Sequence, residues 1–346
     1  MIKVYPDSKI YIYCPAGIVT GGAELLHQLV SFLNDNGRDA YIVYFGEKKH
    51  ILPNDYKCYN IKIAERVINA EKNIEVIYEG IFNLIYCNDL TQKFLWWLSV
   101  DNFYRCSTRF LSLKDLFKYD VTYGFNAFIK RIYFLFFRRK DYPAKIVSIS
   151  KLRKLNVVNG YQSEYAQNFL QNHGFKEMVA LKDYINIEHF KHKFSRENRK
   201  DVILYNPKKG LNFTKKLIAK APDLHWIPIQ GMTRQQVINL MGEAKVYIDF
   251  GFHPGKDRLP RECAANGCCI ITGMRGSAAF FEDVMVPNKY KFDEHKSSLS
   301  DIVETIRWTL ENYEIAINDF QMYRSMIALE KKEFEEQISL IFLHNS

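Results

Sequence analysis

Residues 246–283, VYIDFGFHPGKDRLPRECAANGCCIITGMRGSAAFFED, constrain this chain more than any other stretch. The apolar run at 246–250 has the length and β-branched content of a buried strand. A loop follows, carrying Gly251, His253, Pro254, Gly255, Lys256, Asp257 and Arg258. Pro260 stands where a first helical turn accepts proline, and Gly267 stands where a helix ends. Residues 268–272 form a second strand-like run. Gly273 and Gly276 predict another tight loop, with Ser277 placed to cap the helix after it. The order is strand, polar loop, short helix, strand, glycine loop, helix. It brings two loops rich in charge and backbone N–H groups to the carboxyl edge of a parallel sheet, where open α/β sheets bind ligands.

On these residues the chain resembles the nucleotide-sugar half of GT-B glycosyltransferases, the family 4-like group in particular. The matching run is 257–268, DRLPRECAANGC. The resemblance implies that Glu262 accepts hydrogen bonds from a nucleotide ribose. The group normally carries two glutamates with seven residues between them. Position 254 is proline here, so the first acidic role falls on Asp257. Lys256 and Arg258 become candidates for the donor diphosphate, since a cation beside a phosphate in a closed site acts more strongly than one in water. Arg261 reads as a helix-face residue. Gly276 and Ser277 offer a small phosphate or sugar site at a helix start.

A chain of 346 residues suits two ordinary domains, and its 47% hydrophobic content is enough to fill two cores. The seven cysteines contain no CxxC pair, which argues for reduced thiols and against a zinc site. No leader-like segment and no apolar run of membrane-spanning length is visible, so the expected location is cytoplasmic. The net charge of +9 leaves nucleic acid, anionic lipid and phosphorylated substrates open as partners.

From the start, strand-like 9–15, the glycine loop 16–22, helical 23–34 and strand-like 40–45 make a β–loop–α–β opening with right-handed parallel connections. The loop is not a GxGxxG fingerprint, so no nicotinamide cofactor is indicated. Gly21, Gly22, Ala23 and Glu24 match the Gly-Gly loop at the start of many family 4-like enzymes. There, helix-start N–H groups attract anions. A further strand is expected near 84–87. In the aromatic stretch 94–104, Trp96 and Trp97 suit a core, and Asp101 is a candidate general base on an acceptor hydroxyl; a turn or helix cap is the other reading. His27 is a second base candidate.

The run from Phe128 to Lys140, FIKRIYFLFFRRK, is apolar between cations. It is too short to span a bilayer but suits an anionic membrane surface; a buried element with solvated ends is the alternative. Residues 145–150 are strand-like, 162–174 helical, and 178–181 strand-like. Residues 186–200, with His189, His192, Arg196 and Arg199, read as a solvated linker.

The second half opens with a strand at 202–205 and then Asn206-Pro207-Lys208-Lys209-Gly210. The resemblance places Lys208 and Lys209 where cations bind the donor diphosphate, and stabilising a departing diphosphate is sound work for lysine. A helix at 213–220, a strand at 224–229 and a Thr233–Gln236 capping box follow. The tail at 299–342 is helical, with 330–336 as a solvated face.

The expected architecture is α/β, GT-B: two Rossmann-like doubly wound domains facing a cleft. The first spans 1–186 and holds the acceptor, the second 187–323 holds the nucleotide sugar, and 324–346 crosses back to the first. The resemblance implies sugar transfer from a nucleotide-diphosphate sugar to a saccharide or lipid-linked hydroxyl, without a metal or other cofactor, in surface glycan synthesis. Asp101 and Glu262 are its catalytic candidates. A retaining route needs no base; an inverting one does. A nucleotide-sugar 2-epimerase of the same fold is the alternative. Nucleic-acid binding is disfavoured, because no RNA or DNA motif is present.

Overall fold

The computed structural model describes residues 1–46, 51–137, 146–190 and 195–343. The chain divides into two compact units. Met1–Gln162, Ala166–Lys182 and Phe334–Ser346 make unit 1; Ser163–Tyr165 and Asp183–Glu333 make unit 2. The division falls at Lys182 rather than at 186, and inside a helix near the end rather than at 324.

Unit 1 runs β1 (Lys9–Pro15), α1 (Gly21–Asp35), β2 (Asp39–Phe45), β3 (Ile74–Tyr78), β4 (Gln92–Trp97), α2 (Val100–Cys106), α3 (Leu113–Tyr119), α4 (Val121–Phe137), α5 (Ile149–Leu152), β5 (Val158–Tyr161), α6 (Glu164–Asn172), which the unit division cuts before Ala166, and β6 (Met178–Ala180). Its six strands pair in parallel in the order β2-β1-β3-β4-β5-β6. A parallel sheet covered on both faces needs strands apolar on both sides, and Phe94, Leu95, Trp96 and Trp97 of β4 are all buried. The Trp97 ring lies 4.9 Å from Phe103 and 5.3 Å from Phe169. The segment from Phe334 onward adds Phe342 beside Phe94 and a Gln337 Oε1 that accepts from the Lys182 amide at 2.7 Å.

Two expected strands are absent. Residues 84–87 end a run of 3₁₀ turns, Glu79–Tyr86; the strand is the β-branched IEVIY of β3, wedged between β1 and β4. Within 145–150, Val147 makes an isolated bridge to Leu111, and Ser148 caps α5 through the Lys151 amide. The strand is instead β5, hidden in the sequence by Asn159 and Gly160. Asn159 is held inside because its side-chain oxygen accepts the Trp97 indole N–H at 3.0 Å. Of the apolar run at 128–140, residues 128–137 lie in α4; Arg138, Arg139 and Lys140 fall outside the described residues.

Unit 2 runs β7 (Lys200–Tyr205), α7 (Leu211–Lys220), β8 (His225–Pro228), α8 (Arg234–Glu243), β9 (Ala244–Asp249), α9 (Arg258–Ala265), β10 (Cys269–Gly273), β11 (Lys291–Phe292), α10 (Leu299–Glu311), α11 (Tyr313–Ala316) and α12 (Gln321–Ile338), which the unit division cuts after Glu333. The order is β11-β10-β9-β7-β8, again with every pair parallel. The Thr233–Gln236 capping box forms at the start of α8. Asp257 is the N-cap residue of α9, and Gly267 sits just beyond its end at φ 91°.

The stretch expected to be a solvated linker is partly core. Ile187–Phe190 is a 3₁₀ turn that buries His189. Arg199 donates to the carbonyls of Ala244 at 2.7 Å and Asn266 at 2.5 Å. Arg196 is exposed, as expected, and His192 lies outside the described residues.

Candidate functional site

The sheet of unit 2 winds outward in both directions from β7: β8 lies on one side and β9 on the other. Loops that leave adjacent strands toward opposite flanks open a crevice at the carboxyl ends, and ligands of open α/β sheets sit there. The loops after β7, β9 and β10 meet at this edge. Gly210, the N-cap residue of α7, has φ 61°, and a Cβ there would fall on the carbonyl of Phe250. Only glycine lets the two loops approach this closely. Their contact places the Lys209 ammonium on the carboxylate of Asp257, with both side chains still partly exposed. Lys208 is exposed beside them. No side chain caps the start of α7.

Behind Asp257 lies a buried charged row at i, i+4, i+8. His253 Nε2 is 3.4 Å from Asp249 Oδ1, and its Nδ1 is 3.4 Å from Asp257 Oδ2. Asp249 also accepts the Tyr247 hydroxyl at 2.7 Å and the Gly251 amide at 2.9 Å. Burial pushes the Asp249 carboxyl up, but His253 and Tyr247 outweigh it and hold it at about 2. Burial likewise disfavours a charged His253, yet Asp249 and then Asp257 carry it above its ordinary value. Asp249, His253 and Asp257 are also the one group of metal-ligating types among the described residues, with ligand atoms within 4.8 Å of one another. His253 lies between the two carboxylates, and the Lys209 ammonium lies on Asp257.

The loop after β10 contributes differently from its expected role. Gly276, at φ 64°, has no room for a Cβ beside the carbonyl of His253. The Ser277 amide donates to that carbonyl at 2.8 Å, and the Ser277 hydroxyl donates to Gly255 O at 2.6 Å. Gly276 and Ser277 therefore lock two loops together, and Ser277 caps no helix: the turn Ser277–Ala279 has Gly276 as its N-cap. Their neighbour Arg275 reaches the edge. It is half-exposed, bonded to Glu294 Oε1 at 3.0 Å and to Phe250 O at 2.9 Å.

Helix α9 carries two faces with separate tasks. Arg261, expected as a helix-face residue, is fully buried. It donates to both carboxylate oxygens of Asp183, at 2.8 and 2.9 Å, to Glu330 Oε2 at 2.8 Å and to Lys256 O at 2.8 Å. Lys256 is buried on Glu330 Oε1 at 2.9 Å. Arg258 Nε lies 3.4 Å from Asp183. Lys256, expected to meet a diphosphate, instead belongs to a buried ionic network that ties the loop after β9 to α12. Glu330, expected in a solvated face, is 4% exposed. Burying these charges is tolerable because each has opposite charge and hydrogen bonds around it. Burial raises the Asp183 carboxyl, but Arg261 and Arg258 bring it below its ordinary value.

On the other face of α9, Glu262 is part-exposed, and its Oε1 lies 3.5 Å from His189 Nε2. Asn266, one turn further along, has its Nδ2 at 3.0 Å from His189 Nδ1 and donates to Glu262 O at 2.8 Å. An amide donor on Nδ1 leaves the ring proton on Nε2, pointing at Glu262.

In unit 1 the expected site residues are packed into local structure. Gly21 and Gly22 open α1, whose N-cap Thr20 accepts from the Ala23 amide; a Cβ at Gly22 would meet nothing. His27 is fully buried, with Nδ1 at 2.7 Å from Ala23 O and Nε2 at 2.8 Å from the Tyr44 hydroxyl, and burial lowers its pKa. Asp101 lies in the first turn of α2, buried, and accepts the Tyr119 hydroxyl. The cap of that helix is Ser99, and Asp101 is a first-turn residue.

Asp183, Asp249 and Glu330 were not singled out by the sequence, His253 and Arg275 appeared there only as members of their loops, and His189 only as part of a linker. The 249/253/257 spacing was a usable signal, since a carboxylate ending an apolar strand and followed at four-residue steps by His and Asp is chemically pointed. Arg261 and its partners carried no local signal.

No family model matches the sequence, and no curated protein matches it. Solved structures do. The chain is similar to a sucrose-phosphate synthase from Thermosynechococcus elongatus, with TM-score 0.63, 10% identity, and 96% of this chain and 98% of that one covered. It is similar to HepE from Anabaena in complex with UDP-glucose, with TM-score 0.59, 10% identity and coverage of 96% and 98%. WaaG, a glycosyltransferase involved in lipopolysaccharide biosynthesis, aligns with TM-score 0.53, 12% identity and coverage of 95% and 99%. The chain has the two-domain, Rossmann-like α/β fold of GT-B glycosyltransferases.

Proposed function

We propose that this chain is a glycosyltransferase that takes a nucleotide-diphosphate sugar at the carboxyl edge of unit 2 and moves the sugar to a hydroxyl of a saccharide or lipid-linked acceptor. One observation carries the reading: at the winding reversal of a GT-B-type sheet, Lys209, Arg275, the uncapped start of α7 and the part-exposed Glu262 are all brought to one edge. That HepE holds UDP-glucose on the same fold supports it.

In this reading Lys209 and Arg275, with Lys208 at the rim, face the diphosphate. The bond from the sugar's anomeric carbon to the phosphate oxygen breaks, the acceptor oxygen bonds to that carbon, and the acceptor's proton is released to solvent. The cations stabilise charge growing on the departing diphosphate. Asp257 holds Lys209 in place, and His253 holds Asp257. Glu262 accepts from the ribose hydroxyls, oriented by His189. The cations do the work that a divalent ion does elsewhere, so the transfer needs no metal. Surface glycan assembly is the proposed setting.

A thermal-shift panel of UDP, GDP, CDP, ADP and TDP, with magnesium or with EDTA, tests this. A ligand that binds only the folded state raises the melting temperature by mass action. One diphosphate is expected to stabilise the protein in both buffers. A shift seen only with magnesium removes metal independence; no shift with any of them removes the donor site.

A further inference from the structure

A surface helix normally turns its apolar stripe to the core and its polar residues to water. Helix α4 does the reverse. Gly124, Ala127 and Arg131 are its buried residues. The Phe117 ring of α3 fills the space beside Gly124, and the Arg131 guanidinium donates to the carbonyls of Thr108, at 2.8 Å, and Leu111. The helix is therefore fixed to unit 1 by its small residues and one arginine. Phe125, Ile129, Ile132, Tyr133, Phe136 and Phe137 form the outward stripe, at helical spacing, with Phe136 77% and Phe137 75% exposed. A continuous aromatic and aliphatic stripe of this kind on a soluble surface marks an interaction site.

Charge identifies what covers it. The helix sequence, residues 121–137, contains no Asp or Glu. Lys130 on α4, Lys114 and Lys118 on α3, and Arg109 are exposed, and the Arg109 guanidinium lies 4.7 Å over the Phe134 ring. Within residues 107–137 the exposed acid is Asp120, whose carboxylate accepts from the Tyr123 amide at the helix start. A second copy of this chain packed through the same face would bring like charges against these cations. Among the described residues no helix is long and apolar enough to cross a membrane. We propose that α4 docks on an anionic lipid bilayer. Its aromatic stripe lies in the headgroup–acyl boundary, and the flanking cations lie among the headgroups. Docking goes beyond the donor reading and does not depend on it: a failed nucleotide panel leaves vesicle binding untouched.

The test is flotation of the full chain with phosphatidylcholine vesicles, with and without phosphatidylglycerol, across a salt series. Partition is expected to be about tenfold or more higher on the anionic vesicles and to fall as salt rises. The double variant Phe136→Ser/Phe137→Ser, with its melting temperature unchanged, is expected to lose about tenfold or more of that partition. Phe134 is left alone, because Arg109 covers it. If the double variant does not fold, Lys130→Glu supplies the same comparison through charge. No binding of the wild-type chain to anionic vesicles at low salt overturns the proposal. So does equal binding by a folded variant, or a concentration-dependent dimer that the variant abolishes.

Discussion

The two units wind their sheets in similar ways and use the resulting edges differently. In unit 1 the order reverses at β1, between β2 and β3; in unit 2 it reverses at β7, between β8 and β9. At the unit 1 edge the titratable groups are drawn inward. His27 is held by Ala23 and Tyr44. Asp101 accepts from Tyr119. Glu79, which burial pushes up to about 8, accepts the Leu98 amide at 2.8 Å. At the unit 2 edge a buried charged foundation, Asp249–His253 and Asp183–Arg261–Glu330, supports an outer row of part-exposed Lys209, Asp257, Arg275 and Glu262. Topology provides both places; what differs is whether the polar groups stay part-exposed at the edge or are drawn inside.

If the foundation matters, removing its centre has the largest effect. Arg261→Met takes from the buried Asp183 and Glu330 the guanidinium they share, leaving only Arg258 and Lys256 beside them, and is expected to cost about 3–5 kcal/mol in denaturant unfolding. A cost under about 1 kcal/mol would make the network incidental. Next comes the outer row. Glu262→Ala is expected to weaken nucleotide diphosphate binding about tenfold or more without unfolding, the worth of a hydrogen bond to a charged group. His189→Ala is expected to move affinity in the same direction by less, and His189→Gln to recover part of it by restoring a donor. Unchanged affinity in Glu262→Ala would remove the ribose contact.

The pH response sharpens the contrast further. His253 has a folded pKa above its ordinary value, so its stabilising contribution is full below about pH 6.5 and is lost as pH rises through the raised value. Asp249, held at about 2, contributes above the usual carboxylate range and loses that only as pH falls through its folded value. The melting temperature is therefore expected to decline from pH 6.5 upward, with a smaller slope in His253→Asn. Identical slopes would mean that His253 does not change charge there. The smallest effect belongs to unit 1. Gly22→Ala adds a methyl to open space in a helix and is expected to be neutral or stabilising by up to about 1 kcal/mol. A loss of nucleotide affinity there would show that α1 also meets the donor.

The parts legible in sequence were local. The 246–273 run reads as strand, loop, helix and strand because short apolar runs are separated by glycine, proline and charged residues, and Gly267 sits at its helix end. The capping box at Thr233 is equally local. Residues that meet across the chain were not legible: Arg261 finds Asp183 at a separation of 78 residues and Glu330 at 69. That is why Arg261 read only as a helix-face residue, Lys256 as a phosphate ligand and Glu330 as solvated. β5 was missed because Asn159 is polar by type and buried by its bonds to Trp97 and neighbouring carbonyls. In α4 the apolar run was plain, but which side faces the unit depends on Gly124 and Ala127 meeting α3, a packing outcome rather than a composition.

The most direct test of the central claim is a calorimetric titration of the diphosphate picked out by the melting panel, in EDTA, against wild type, Lys209→Ala and Asp101→Asn. Binding at the unit 2 edge predicts about a tenfold or greater loss of affinity for Lys209→Ala, as for a lost charge-assisted contact, and an unchanged value for Asp101→Asn. An unchanged Lys209→Ala, or a loss confined to Asp101→Asn, would contradict the account.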